Sequence, residues 1–541
     1  MWRNIHLQEH SQLVQVLISK KEHSMKKHSY KIILITAITF VLSGCVKHAL
    51  DVTPVGLYTP ENYWRNQADV LAGITGIYNV LTQEEGVGHN LYAFEDASDD
   101  ISVDGDHSDF WEIERFTANS ATYQLRPTWG WAYEQIARSN NALIYIPKVP
   151  VLDDAIRNRS MGEAYFLRAH GYWQLNLIFG EVPIIVEDNV LSANYNVPKS
   201  SVDSVRALIE SDLIKAGDLL PETYGGDDRG RVSKGAAWGL LAKLYLMEDK
   251  LDKAIEYGQK VINNANYALA SSYTDNFTLG RQETNSEVLF AVWNKNNYNN
   301  SPINIYFTPR AWNGWGFHHP TENFAEEFEP ADSIRKRATL LSVGDSLPYQ
   351  TTLIDITDKD AYQMFAGKVG QKTGRMLPSN SLTTGYCIRK YTAYNPDGSG
   401  NLDGDLKQVI LRTADIYLVV AEAKIRLSGA GAGDAEINAV RKRAGLKEVS
   451  GATFQQLMHE RRVELGGENI RFFDLMRWDK AGLIKVDTIF SKPKTASLLP
   501  PYNGAVVIPG RTFTRPKNYY MPVPQAIIDE SKGVIKQNPN Y

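Results

Sequence analysis

Residues 230–246 read GRVSKGAAWGLLAKLYL, and this stretch decides the fold. Within it Trp238, Leu241, Ala242 and Tyr245 follow the W-x-x-L-G-x-x-Y spacing of the first helix of a repeated helix pair, and Ala254 falls where the second helix needs a small side chain. Small residues at these places let neighbouring helices approach closely, while the Trp and Tyr rings fill the space beside them.

The spacing is that of a tetratricopeptide unit, so further units are expected on either side. YFLRAHGY carries Tyr165, Ala169 and Tyr172, and DIYLVVAEA carries Tyr417, Val420 and Ala421. Tyr165 lies 73 positions before Trp238, near two periods of roughly 34 residues, whereas Tyr417 lies 179 positions after it. A long insertion must therefore separate the later unit from the earlier ones. Apolar residues at helical period predict helices over 68–81, 129–146, 153–179, 201–220, 233–247, 251–263, 411–427 and 454–465. Segments 86–128, 266–409 and 483–525 are instead rich in Gly, Asn, Asp, Pro and aromatics, as loops are. The expected fold is mostly α: four tetratricopeptide-like helix pairs forming a scaffold, with a large irregular insertion packed against it.

Outward from the repeats, the 541 residues are 43% hydrophobic and 22% charged, the composition of a globular chain. The apolar run Ile32–Leu42 is too short to span a bilayer, which needs about 20 residues. Lys26, Lys27 and Lys31 precede it and Leu42-Ser43-Gly44-Cys45 follows, the basic, apolar, small, cysteine order of a bacterial lipobox. Residues 1–44 therefore read as a signal-peptide region whose true start is Met25, with lipid on Cys45. That region carries six cationic and two acidic side chains, a net of +4, so its removal takes the net charge from −4 to −8. An acidic chain without a basic stripe argues against nucleic acid as a partner. The other cysteine, Cys387, has no Cys-His motif around it and reads as a buried small hydrophobe.

Seven segments, in order along the chain, resemble the SusD/RagB family of Bacteroidota outer-membrane lipoproteins. They are LDVTPVGLYTPENYW after Cys45; YFLRAHGYWQLNLIFGEVPII over 165–185; GRVSKGAAWGLLAKLYL; LRTADIYLVVAEAKIRL; INAVRKRAGL; ERRVELGGENIRFFDLMRW up to Trp478; and the closing YYMPVPQAIIDESKGVIKQNPNY. The resemblance implies one such domain over 46–541, with a helical-repeat part about 60–265, a loop-rich insertion about 266–409 and a C-terminal part about 410–541. It also implies capture of an oligosaccharide or polysaccharide at the outer face, delivery to a SusC-like TonB-dependent outer-membrane barrel, and no catalysis or cofactor. Surface export in this phylum favours Lys or Ser followed by acids soon after the lipid cysteine, and Val46-Lys47-His48-Ala49-Leu50-Asp51 matches that pattern in part.

The aromatic segment from Trp293 to His319 is the first candidate site. Flat aromatic faces suit sugars, whose C–H groups pack on the ring while hydroxyls reach amides and acids. Trp312-Asn313-Gly314-Trp315 is its sharpest part, because glycine allows a turn that brings both indoles outward with Asn313 beside them. Tyr298 joins this set, whereas Trp293, Phe307 and Phe317 read as packing. A second segment, EDASDDISVDGDHSDFW over 95–111, supplies Asp100 and Asp104 as acceptors and Trp111 as a platform, since family counterparts often help line the glycan site. Its bland alternative is a solvated acidic loop.

No metal is expected. Asp100, Ser102, Asp104 and Gly105 imitate an EF-hand loop, but position 12 is Trp111 instead of Glu; Asp397, Ser399, Asn401 and Asp403 lack the central glycine. His318-His319 read as structural. Glu460, Glu464 and Glu468 stand at i,i+4 on an expected helix, where a glycosidase would need two carboxylates facing one bond, yet Arg461, Arg462, Arg471 and Arg477 are near enough to make an ion-paired face. HExxH, phosphate-loop, GxSxG and CxxC motifs are absent. Two other readings remain beside glycan capture: a helical-repeat adaptor or peptide-binding lipoprotein of the envelope, and a lipid-anchored glycoside hydrolase.

Overall fold

The computed structural model describes residues 63–103, 108–278, 280–294, 303–310, 314–342, 382–392 and 406–541. Residues 64–541 form one unit, and its frame is a stack of helices. These are α1 (Gln67–Val80), α2 (Leu125–Tyr145), α3 (Asp154–Phe179), α4 (Val202–Leu219), α5 (Lys234–Met247), α6 (Leu251–Ile262), α7 (Thr413–Ser428) and α8 (Asp434–Arg443). They pack in pairs, α1 with α2, α3 with α4, α5 with α6 and α7 with α8, and each pair packs on the next. Two further helices, α9 (Phe454–Leu465) and α10 (Arg471–Lys480), follow the last pair. This is the mostly α, tetratricopeptide-like scaffold expected from the repeats.

Starts are set by capping side chains: Asn66 accepts from the Asp69 N–H, Asp153 from that of Ile156, Ser201 from that of Ser204, and Thr453 and Gln456 form a reciprocal capping box. The decisive stretch behaves as its spacing requires. Leu241, Ala242, Tyr245 and Ala254 are buried, and the Trp238 indole lies over Gly217 of α4. Helix α3 is buried along nearly all of its second half, Arg168 included, because that guanidinium pairs with Asp212 at 2.7 Å and Glu187 at 2.8 Å.

Helix α6 packs directly against α7, although Ile262 and Thr413 are separated by the whole intervening segment. That segment leaves and returns side by side, because strand β2 (Val288–Val292) pairs antiparallel with β6 (Gln408–Arg412). Strand β1 (Ile101–Val103) pairs antiparallel with β3 (His318–Pro320), and β4 (Leu340–Ser342) with β5 (Tyr386–Ile388). A last hairpin joins β7 (Lys494–Thr495) to β8 (Val506–Ile508). The chain end closes on the scaffold: the Met521 N–H donates to the Ile178 carbonyl at 2.7 Å, and the Asn538 amide donates to the carbonyls of Phe179 and Met521.

The three glutamates of α9 and the following turn are buried, not solvated. Glu464 meets Arg412 at 2.5 Å, Arg335 at 3.2 Å and Arg443; Glu460 meets Arg335 at 2.5 Å and Arg441 at 3.0 Å; Glu468 meets Lys390 at 2.7 Å and Arg412 at 2.8 Å. Burial alone pushes the Glu464 carboxyl up, but Arg443, Arg412 and Arg335 together hold it well below the usual carboxylate range. Arg335, Arg412 and Lys390 come from the intervening segment, so these charges fasten it to α9.

Candidate functional site

Pairing of β1 with β3 brings the acidic segment and the aromatic segment together. On this frame four rings lie in sequence of contact. Trp315 meets Tyr306 edge-on at 5.1 Å between centroids, Tyr306 stacks on His89 at 3.6 Å and 7°, and His89 meets Phe110 edge-on at 4.8 Å. Phe317 lies 5.6 Å from Trp315 and supports the group from the strand side. Tyr306, His89, Phe110 and Phe317 are buried, whereas Trp315 is 41% exposed. The result is an indole held at the surface on a rigid aromatic base.

Local hydrogen bonds fix that indole. The Trp315 backbone N–H donates to the Ile305 carbonyl at 2.7 Å and the Phe317 backbone N–H to the Tyr306 carbonyl at 2.8 Å, folding the turn back onto the short helix Ile303–Phe307. Arg310 Nε donates to the Trp315 carbonyl at 3.1 Å, and this side chain is exposed. Gly314 is required by close approach, since a Cβ there would collide with the Thr308 carbonyl. Burial and the nearby Glu84 carboxylate raise the Tyr306 phenol far above its ordinary value, so it stays a neutral hydroxyl.

Trp312, Asn313, Tyr298 and Asp104 lie outside the described residues, as do the lipidation residue Cys45, the start at Met25 and the second acidic repeat at 397–403. Trp111 is half-buried on the helix Ser108–Glu114, with the Arg115 guanidinium 5.3 Å from its ring centroid. Asp100 corrects the sequence expectation. Instead of facing solvent as an acceptor for sugar hydroxyls, it is fully buried and takes Arg462 Nε at 2.6 Å. Burial, and then the like charge of Asp99, outweigh Arg462 and push its carboxyl up to about 6.

Two neighbouring acids of that segment are paired within the protein as well. Asp99 is paired with Arg462 at 2.9 Å and Arg471 at 3.0 Å, and Asp96 accepts from the buried His318 at 2.9 Å. For Asp99 and Asp100 the solvated-loop reading does not hold: they pair with arginines more than 360 positions away. Phe307 and Phe317 are packing residues, as expected. His89 was missed, for its only signal is a contact with Tyr306 across more than 200 positions.

A polar cleft of 680 Å³ lies beside this loop, lined by Asp99, Glu326, Glu327, His459, Arg462 and Lys492 among others. Against the upward push of burial, Arg462 and Arg471 hold the Asp99 carboxyl well below its usual range, and His459 and Arg462 lower that of Glu327. A general acid needs its proton near neutral pH, so these two acids suit ion pairing better than hydrolysis.

A family profile described as "SusD family" matches residues 286–541, and one described as "Starch-binding associating with outer membrane" matches 57–246. The chain belongs to the SusD/RagB family. A SusD-like protein of Formosa agariphila is 26% identical over 83% of this chain and 90% of its own length. The starch-binding protein SusD of Bacteroides thetaiotaomicron is 26% identical over 62% of this chain and 67% of its own. Among solved structures, a laminarin-binding SusD-like protein superposes with a TM-score of 0.70 at 26% identity, covering 88% of this chain and all of that one. SusD-like likeness thus spans both the helix pairs and the intervening segment.

Proposed function

We propose that this SusD/RagB protein captures an oligosaccharide at the cell surface, without chemical change, and hands it to a SusC-like TonB-dependent barrel in the outer membrane. The observation that carries this reading is Trp315, an exposed indole standing on buried rings in a protein whose relatives include a starch-binding and a laminarin-binding member. An apolar ring that the fold leaves in water is stabilised when a sugar face covers it, and pre-organisation on a rigid base removes most of the ordering cost. Trp312, Asn313, Tyr298, Asp104 and Trp111 are the residues proposed to complete the platform. Cys45 carries the lipid that holds the chain at the membrane.

Binding without hydrolysis fits the carboxylates, which are engaged by guanidinium groups at Glu460, Glu464, Asp99 and Asp100. The test is calorimetric titration of the purified chain with soluble plant and host polysaccharides, beside a Trp312→Ala, Trp315→Ala double variant. Binding that the variant loses, with no new reducing ends after prolonged incubation, is the expected outcome. No binding across the panel would turn the reading toward a peptide cargo, and product formation would turn it toward a hydrolase.

A further inference from the structure

A second cleft, of 340 Å³, lies where the loop between α4 and α5 meets strand β2. Its volume is at the lower end of the roughly 300–1,000 Å³ of small-molecule sites. One wall is the 222–233 loop; the other is the turn 282–286, the outer edge of β2 and Trp293 at its end. Trp293 is half-buried and set firmly in place. It packs against Gly230, where φ is +98° and any side chain would collide with the indole.

The lining is unusual in its chemistry. Thr223, Tyr224, Asn266, Thr284, Asn285 and Ser286 contribute hydroxyls and amides, and two guanidiniums, Arg229 and Arg231, share the lining with two carboxylates, Glu222 and Glu283. Arg231 is held by Glu163 at 2.9 Å and Asp228 at 2.6 Å, whereas Arg229 is exposed and has no ion-pair partner among the described residues. Strand β2 pairs on one side with β6; among the described residues its other edge pairs with no strand and lies along the cleft. The cleft thus offers hydroxyls and amides, lining charges that sum to zero and one fixed apolar wall. An anion would meet Glu222 and Glu283, and an apolar ligand would take the exposed groups of Thr223, Arg229 and Thr284 out of water. A polyhydroxylated, uncharged ligand satisfies both constraints.

We infer that this cleft is a second subsite for a short stretch of neutral oligosaccharide, apart from the Trp315 platform. The inference rests on the proposed glycan-binding function and extends it: two sites on one chain favour long polymers over short ones through effective concentration.

The test applies maltohexaose, laminarihexaose, cellohexaose and xylohexaose in turn to the full chain, with hydrogen–deuterium exchange and calorimetry as readouts. With whichever hexaose binds, backbone protection is expected over 222–231 and 282–291, and it persists in a Trp315→Ala variant. Trp293→Ala should weaken this second binding about tenfold, and an Arg229→Ala, Thr284→Ala variant, altering only surface groups, should do so with an unchanged melting temperature. Protection near Trp315 alone, unaffected by either variant, overturns the second subsite and leaves the glycan reading standing. If no hexaose protects either region, both fall.

Discussion

The intervening segment is joined to the rest of the protein in two different ways. Against α9 it is fastened by charge, with Arg335, Arg412 and Lys390 each reaching a buried glutamate. Against the 84–111 region it is fastened by rings, from Trp315 through Tyr306 and His89 to Phe110. A buried charge must be paired, so the guanidinium, ammonium and carboxylate groups of the first junction are spent on one another. Rings need no such pairing. Their apolar contacts are additive and non-directional, so the outermost ring can remain in water and serve as a binding surface.

Breaking the charged junction is expected to have the largest effect. Glu464→Ala leaves Arg335, Arg412 and Arg443 facing one another in the interior, and losing one partner of a buried pair costs about 3–5 kcal/mol. Denaturant unfolding should show that loss, and a variant with near-normal stability would mean that water reaches the cluster. Acid should act on the same place. The Glu464 carboxyl has a folded pKa below its unfolded value of 4.5, so its contribution is fully present above that pH and is lost as pH falls through the folded value. The Asp415 carboxyl, which Lys243 and Arg461 lower against the push of burial, adds a loss of the same sign below about 3.8. Because Asp100, with its raised pKa, gains stability over the same range, the check is a comparison: a melting-temperature profile from pH 6 to pH 3 with the same slope in Glu464→Gln as in the unaltered protein would sink this account.

At the ring junction the expectation reverses. Trp315→Ala removes a side chain that is 41% exposed, so stability should change by less than about 1 kcal/mol, while glycan affinity falls about tenfold, roughly 1.4 kcal/mol. Calorimetry and unfolding on the same variant separate the two. A large stability loss with unchanged binding would make Trp315 a packing residue and erase the contrast.

The contrast also explains what the sequence discloses. Helices with a continuous apolar period were legible to within a few residues; Phe454–Leu465 and Leu251–Ile262 are instances. Helices α8 and α10 escaped the periodicity, because Arg441, Arg471, Asp474 and Asp479 take up buried positions that an apolar count scores as surface. The acidic loop misled for the same reason: Asp99 and Asp100 look solvated until Arg462 and Arg471 are placed beside them by the fold. Trp315 was nameable from its neighbours in the chain, since an Asn-Gly turn between two indoles is a local signal. Its base was not, because His89 and Tyr306 meet only through tertiary structure.

The smallest effect expected lies where the two junctions approach one another, at His459 of α9. Its Nδ1 is 2.7 Å from Glu327 and its Nε2 3.4 Å from Glu329, so the ring links α9 to the intervening segment. Burial lowers its pKa, but Glu327, Glu460 and Glu329 more than restore it, and the group ends above 6.5. Arg462 and Arg441 face the same glutamates and remain charged throughout this range, so they set a constant background. A histidine whose folded pKa is raised contributes stability that is complete below 6.5 and disappears as pH rises through the folded value. The melting temperature should therefore decline from pH 6 to pH 8.5, and His459→Gln, which keeps a donor but cannot titrate, should flatten that decline. Equal slopes in the two proteins would show that Arg462 and Arg441 alone satisfy the glutamates. The charged junction would then be closed without histidine.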